Sequence, residues 1–265
     1  RYEAMQQLMV DTLVSAVAGR DVDHDPVIEA VRRTLTDTTL DDAFIAEALI
    51  LPSEAFIGDQ MLVVDPDAIS AAREALRREL GIELEDKWRS VYDRTSGNVF
   101  EYAPGPKGAR RLRTVALGYV AASGAEDSAQ IAFRQFSSAD NMTDRQGALG
   151  VLANGDAPER AQALAAFYER YRDNALVLDK WFTTQAFSTR ADTVDAVETL
   201  SAHPDFTLAN PNRVRSLVGA FALNQRAFND KSGRGYRFLA DKVIALDRLN
   251  PQTAEGIGNF GMIAA

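Results

Sequence analysis

The chain has 265 residues, 46% of them hydrophobic, which is enough to bury a substantial core and contains no run long enough to span a membrane. Its 38 acidic and 29 basic residues give a net charge of −9, which disfavours nucleic acid and anionic membranes as partners. The absence of cysteine excludes disulfides, thiolate nucleophiles and cysteine-ligated metal sites, and it fits a cytoplasmic protein.

Apolar residues recur at the spacing of amphipathic helices from the first residues onward. The sequence begins with neither a methionine nor a signal peptide, which predicts a fragment that starts inside a helix. The helical spacing is clearest at Met5, Leu8, Met9, Leu13, Val27, Val31, Leu35, Ala161, Leu164 and Tyr168. The one candidate strand, at residues 61–64, is a short apolar run cut off by Asp65 and Pro66.

Capping residues, prolines and glycines mark the helix boundaries. A side chain that caps a helix, often followed by proline at the first helical position, predicts a start, and a glycine predicts an end. Starts are predicted after Ser53, Asp65, Asn141, Asn210 and Asn250, and ends before Gly19, Gly81 and Gly124. These signals predict about a dozen helices joined by short loops.

Short loops make consecutive helices antiparallel neighbours. Residues 1–265 are therefore predicted to form a single all-α domain, a right-handed superhelical stack of antiparallel helix pairs like HEAT or armadillo repeats. The absence of a strict repeat leaves a compact irregular helical domain as the alternative. The break near residues 94–108 is interpreted as a surface loop rather than a domain boundary.

Most catalytic constellations are missing. With His24 and His203 as the only histidines, the two-histidine zinc motif of metalloproteases cannot form, and no phosphate loop or nucleophile elbow is present. His24 is interpreted as part of a solvated acidic loop and His203 as a turn residue. The basic residues Lys107, Arg110, Arg111 and Arg113 are interpreted as a charged surface, because no aromatic residues are interleaved with them.

Two segments are compositionally unusual. Residues 174–186 set Asp179 and Lys180 directly beside Trp181 and Phe182, and residues 203–222 contain a helix start followed by two arginines. Together with residues 46–53, 65–78, 141–144 and 250–254, they resemble the C-terminal domain of the bacterial aminopeptidase N family, in the same order and over nearly the whole chain.

This resemblance implies that the parent protein is a zinc metallo-aminopeptidase that removes N-terminal residues from peptides. In that family the zinc, the general base and the recognition of the free amine lie in a separate thermolysin-like domain, and the C-terminal domain closes over it. The resemblance therefore implies no zinc or other cofactor on this chain. The implied partners are the catalytic domain of the same polypeptide and the peptide substrates held in the enclosed cavity.

The two arginines also attract attention on physical grounds. If Pro211 is the first residue of a helix, Arg213 and Arg215 lie near its positive end, where the macrodipole disfavours cations. Each then needs an anionic partner, which can be a structural carboxylate or the carboxylate of a bound peptide. The resemblance implies that Arg215 and Gln252 face the internal cavity. Arg215, Arg213 and Gln252 are therefore the candidate substrate-channel residues.

The C-terminal end departs from the family pattern. The family has an arginine four residues beyond the glutamine, whereas this chain has Gly256, followed by Gly258 and Gly261. Three glycines so close together predict a poor helix.

The remaining unusual residues are expected to be structural. Trp181, Phe182 and Phe187 are predicted to be core residues, and Asp179 and Lys180 to be partners in a structural ion pair. For the whole chain, a free-standing HEAT-like scaffold that binds a protein partner on its concave face is the alternative function. An independent hydrolase is disfavoured because the nucleophile and metal sets are missing.

Overall fold

The computed structural model describes residues 1–97 and 99–264, with side chains described up to Asn259. Every regular element among these residues is helical, which confirms the predicted all-helical fold class. The chain divides into two compact units, residues 1–152 and residues 153–265. The prediction that residues 1–265 form one helical-repeat domain stays a prediction.

The first unit is built around one long helix, α7. The helices of this part of the chain are α1 (Tyr2–Val17), α2 (Asp25–Thr36), α3 (Asp42–Ala48), α4 (Glu54–Gly58), α5 (Pro66–Glu83), α6 (Glu85–Arg94), α7 (Pro104–Ala122), α8 (Ser128–Ser138) and α9 (Met142–Ala153). Helices α3, α5 and α6 all pack against α7.

An aromatic pair links α7 to these neighbours. The rings of Trp88 and Tyr119 are stacked with their centroids 4.2 Å apart. Trp88 Nε1 donates to the Leu80 carbonyl at 2.9 Å, and the Tyr119 hydroxyl donates to the Leu49 carbonyl at 2.7 Å. Burial raises the pKa of Tyr119. Both polar ends are satisfied, so the two rings can be buried without leaving an unpaired donor.

Two of the four basic residues on α7 are buried, so the charged-surface interpretation is wrong for Arg110 and Arg113. Arg113 Nε donates to the Thr95 carbonyl at 2.8 Å, and its guanidinium pairs with Asp144 at 3.1 Å. Arg110 donates to the Glu101 carbonyl at 3.0 Å. The loop between α6 and α7 covers both side chains, and a sequence pattern could not reveal that cover.

The second unit is a further series of helices that includes one π-helical turn. Its elements are α10 (Pro158–Tyr171), α11 (Ala175–Ala186), α12 (Thr193–Leu200), α13 (Pro211–Val214), the π-helical turn (Arg215–Gly219), α14 (Ala220–Ala222), α15 (Gln225–Phe228), α16 (Arg234–Asp247) and α17 (Pro251–Ala264). Helix α11 and helix α17 both pack against the π-helical turn.

The predicted helix starts are confirmed by their capping hydrogen bonds. Each capping oxygen accepts from a backbone N–H in the first turn: Ser53 from Phe56 at 3.2 Å, Asp65 from Ala68 at 3.0 Å, Asn141 from Asp144 at 2.9 Å, Asn210 from Asn212 at 3.0 Å and Asn250 from Thr253 at 3.0 Å. Gly19 and Gly124 lie just after α1 and α7 with φ of 71° and 82°, as expected of helix-ending glycines.

Residues 61–64 form no strand, in agreement with the all-helical prediction, and Leu62 is fully exposed at 106%. Two local predictions are wrong. Gly81 does not end its helix, since α5 continues to Glu83. The glycine-containing C-terminal segment is helical as α17, because Asn250 caps it and Ala254 and Ile257 are buried against the unit.

Gly81 instead lets two helices approach closely. A Cβ added there would lie 2.6 Å from the Tyr119 carbonyl oxygen of α7. We therefore expect Gly81→Ala to lower the free energy of unfolding by about 2 kcal/mol through overpacking, measured by urea denaturation of the 265-residue chain.

Gly150→Ala is the matched control for this substitution. Gly150 also lies inside a helix, but a Cβ there meets no atom within 4 Å. The control should leave stability unchanged or raise it by up to about 1 kcal/mol through helix propensity. Equal effects of the two substitutions would contradict the close-approach explanation.

Candidate functional site

The candidate site begins at the start of α13. Asn210 caps this helix, and Pro211 occupies its first position, where its missing N–H is not needed. The helix then widens at Arg215 into the π-helical turn and continues as α14. In this turn the Ala220 N–H donates to the Arg215 carbonyl, five residues back, instead of the usual four.

Arg213 lies inside the protein and has a structural carboxylate partner. The residue is 4% exposed, and its Nε donates to Asp179 Oδ1 of α11 at 2.5 Å. The guanidinium also lies over the ring of Phe182, 4.9 Å from the centroid. Asp179 therefore pairs with Arg213 rather than with its neighbour Lys180. This contact supplies the anion that the helix start requires.

Arg215 is exposed and points elsewhere. Its Nη1 donates to Asn212 Oδ1 at 3.4 Å, three residues earlier on the same helical face. Arg215 is one of the residues that line a pocket of about 630 Å³ between the start of α13 and α17. Pro211, Asn212, Arg215, Asn250, Gln252, Thr253, Glu255, Gly256 and Asn259 line this pocket.

The pocket brings Arg215 and Gln252 together and leaves Arg213 out. Its chemistry is that of one guanidinium, several amide side chains and the carboxylate of Glu255. Amides both donate and accept hydrogen bonds, as a peptide backbone requires, and a guanidinium can bind a carboxylate with two parallel hydrogen bonds. A Cβ added at Gly256 would meet no atom within 4 Å, so this wall of the pocket is open.

Asn212 and Glu255 are pocket residues that the sequence reasoning missed. Asn212 lies three residues before Arg215, and this spacing within a helix is a usable signal for a shared face. Glu255 lies three residues after Gln252 and shows the same signal. Both residues lie in helical segments of ordinary surface composition, so no other feature of the sequence distinguishes them.

His24 lies in a loop and His203 in a turn, as interpreted, but neither side chain is fully solvated. His24 Nδ1 contacts the carboxylate of Glu79 on α5. His203 packs among aromatic rings, with centroids 5.3 Å from Tyr168 and 5.4 Å from Trp181, while its Nδ1 accepts from the Asp205 N–H at 3.1 Å.

The predicted aromatic core is partly confirmed. Trp181 and Phe182 are buried, whereas Phe187 is 45% exposed and is not a core residue. Phe187 follows the last residue of α11, where the helix no longer fixes which way a side chain faces.

In the part of the chain that the structure describes, no three histidine, cysteine, aspartate or glutamate side chains are grouped to hold a metal ion. No helix among these residues is both long and apolar enough to cross a membrane.

The Arg213–Asp179 pair is expected to stabilise the fold. Asp179→Asn leaves a buried guanidinium without its anion, so we expect it to lower the free energy of unfolding by about 3 kcal/mol. Glu169→Gln is the control, because Glu169 pairs with Arg172 on the surface at 3.6 Å and should contribute less than about 1 kcal/mol. Urea denaturation of the two variants measures the difference, and equal small losses would refute the structural role of Asp179.

Similarity to known proteins extends over nearly the whole chain. A family model described as "Domain of unknown function (DUF3458_C) ARM repeats" matches residues 1–255. Proteins named Aminopeptidase N from Caulobacter vibrioides and Escherichia coli are 37% and 34% identical to the chain, over 259 and 261 residues. Each match covers 96% of this chain and 30% of the relative, so the chain spans about a third of their length.

A solved structure has the same fold. The crystal structure of Legionella pneumophila aminopeptidase A in complex with aspartic acid matches with a TM-score of 0.89 and 26% identity, covering 100% of this chain and 34% of that one. The predicted resemblance to the C-terminal domain of aminopeptidase N is thereby confirmed. The chain belongs to the family of ARM-repeat domains described as DUF3458_C.

Proposed function

We propose that the chain is the non-catalytic C-terminal domain of a cytoplasmic zinc aminopeptidase, in which it encloses the active-site cavity and lines the path of the peptide. The zinc and the catalytic groups would lie in a separate domain of the same polypeptide. Relatives named Aminopeptidase N, about three times as long as this chain, support the assignment.

The observation that carries the proposal is the pocket shared by Arg215 and Gln252. The side chains that line it offer hydrogen bonds suited to a peptide backbone, and Arg215 offers a partner for a carboxylate. A peptide whose N-terminus lies at the zinc site would extend its remaining residues toward such a wall. A single amino acid joined to a small leaving group would not reach it.

Enclosure gives the domain a role without chemistry of its own. A wall that closes over an active site admits short flexible peptides and excludes folded proteins by size. The substrate path is therefore part of the specificity of the enzyme, even though no reacting atom contacts this chain.

The proposal predicts that the chain has no peptidase activity by itself. The isolated 265-residue chain should hydrolyse neither peptides nor aminoacyl anilides, with or without added zinc, because the proposal assigns the catalytic groups to another domain. Release of free amino acids or of the aniline by a pure preparation measures this. Zinc-dependent turnover that co-purifies with the chain would overturn the proposal.

The proposal also predicts that Arg215 affects the hydrolysis of peptides by the full-length enzyme. Arg215→Ala should lower kcat/KM for tri- to pentapeptides by about tenfold, the effect expected for loss of one hydrogen bond to a charged group. Hydrolysis of a single-residue anilide should change little, because this substrate does not extend to the pocket. Steady-state kinetics with both substrates measures the ratio.

Arg172→Ala is the matched control for this variant. Arg172 is also an exposed arginine of the second unit, but it pairs with Glu169 and does not line the pocket. Arg172→Ala should change kcat/KM for neither substrate. Equal losses on peptide and anilide in Arg215→Ala would indicate a structural arginine and contradict the channel-wall role.

A further inference from the structure

The π-helical turn lies at the residue that the pocket depends on. Arg215 is its first residue, and the four that follow, Ser216 to Gly219, are buried. Because the hydrogen bonds of such a turn reach back five residues instead of four, the regular pairing of carbonyls and N–H groups is interrupted. Carbonyls that lose their helical partner inside a protein need another donor.

Two side-chain hydroxyl groups donate to backbone carbonyls at this turn. The Thr183 hydroxyl, on α11, donates to the Ser216 carbonyl at 3.0 Å. The Ser216 hydroxyl donates to the Arg213 carbonyl at 2.8 Å. The Thr183 hydrogen bond thus connects the π-helical turn to α11, whereas the Ser216 hydrogen bond connects the turn to α13, which directly precedes it. A buried carbonyl without a donor costs about 1 to 3 kcal/mol, which is enough to shift a short turn toward ordinary α-helical pairing.

Such a shift would change the direction of Arg215. One residue corresponds to about 100° of rotation in an α-helix, so removing the wide turn would rotate α13 against α14 by about that angle. Arg213 fixes α13 through Asp179, and the three residues of α14 are buried. The wide turn lies between these two held segments, and Arg215 is its first residue.

We propose that Thr183 is a positioning residue for substrate binding: its hydroxyl holds the π-helical turn that directs Arg215 into the pocket. Thr183 itself does not line the pocket. The inference rests on the proposed function, because it assigns Thr183 an effect on peptides through Arg215. It also makes a structural claim that can be tested without any substrate.

The chain offers a matched pair of threonines for the test. Thr183 and Thr184 are neighbours on α11 with similar partial burial, and the structure gives a hydrogen bond to the π-helical turn for Thr183. Thr183→Val and Thr184→Val in the full-length enzyme remove a hydroxyl and keep nearly the same shape. Thr183→Ser restores the donor.

The first measurement is hydrogen–deuterium exchange over residues 211–222. Exchange should rise at least several-fold in Thr183→Val and stay at the wild-type rate in Thr184→Val and Thr183→Ser. Unchanged exchange in Thr183→Val would overturn the structural part of the proposal, whatever the substrates show.

The second measurement is the ratio of kcat/KM for a tetrapeptide to that for an anilide. Both substrates are hydrolysed by the same folded molecules, so the ratio does not depend on how much of a variant folds. Loss of one hydrogen bond predicts a decrease of about fivefold in this ratio for Thr183→Val, expressed mainly in the peptide KM. Thr183→Ser and Thr184→Val should keep the wild-type ratio.

Arg215→Ala separates the two proposals. If Arg215→Ala lowers the ratio and Thr183→Val does not, the channel-wall function stands and the positioning role of Thr183 falls. If Arg215→Ala leaves the ratio unchanged, the channel-wall function itself falls. Where both lower the ratio, the double variant should resemble Arg215→Ala alone, because two residues that act through one contact are not additive. A fully additive double variant would overturn the positioning role.

Discussion

The contact between Arg213 and Asp179 is the constraint on which the second unit depends. A cation in the first turn of a helix is disfavoured by the macrodipole, and a buried guanidinium without an anion is more costly still. Asp179 removes both penalties, since its carboxylate meets Arg213 Nε at 2.5 Å in a site that excludes most water. Arg215 follows two residues later and lines the pocket, while Arg213 is buried in the interior.

Buried arginines perform a second, more general task in this acidic chain. Each helix ends in carbonyl groups that have no N–H partner within the helix. Guanidinium groups from the following helix reach two such ends: Arg113 donates to Thr95 after α6, and Arg145 donates to Phe136 in the last turn of α8. Arginine suits this position because its five donors form a rigid fork and its charge is retained on burial. A stack of short helices has many ends, so consecutive helices are connected by polar contacts as well as by apolar packing.

The sequence predicted what local chemistry decides and missed what distant contacts decide. Asp65, Asn210 and Asn250 mark helix starts because a capping bond spans only two or three residues, and all three starts are where the pattern predicts them. Gly81 failed as a helix end because its role is to admit α7, which lies some forty residues further along the chain. The family resemblance predicted that Arg215 and Gln252 face one cavity, and in the structure both residues line the same pocket. The π-helical turn could not be predicted, since it is supported by a hydroxyl on another helix.

The composition of the pocket suits the proposed function better than a specific side-chain site would. Amide side chains recognise the backbone that every peptide shares, whereas a deep apolar pocket would select particular residues. Among the described residues that line the pocket, Arg215 is the only cation, and Glu255 balances its charge. Gly256 leaves one wall of the pocket open. Under the proposed function, a nearly neutral, amide-rich wall would bind each peptide weakly and would let the shortened peptide leave after each cleavage. Tighter binding would lower KM and slow that release without assisting the chemical step. In that role the domain would contribute by positioning one guanidinium rather than by offering a strong site.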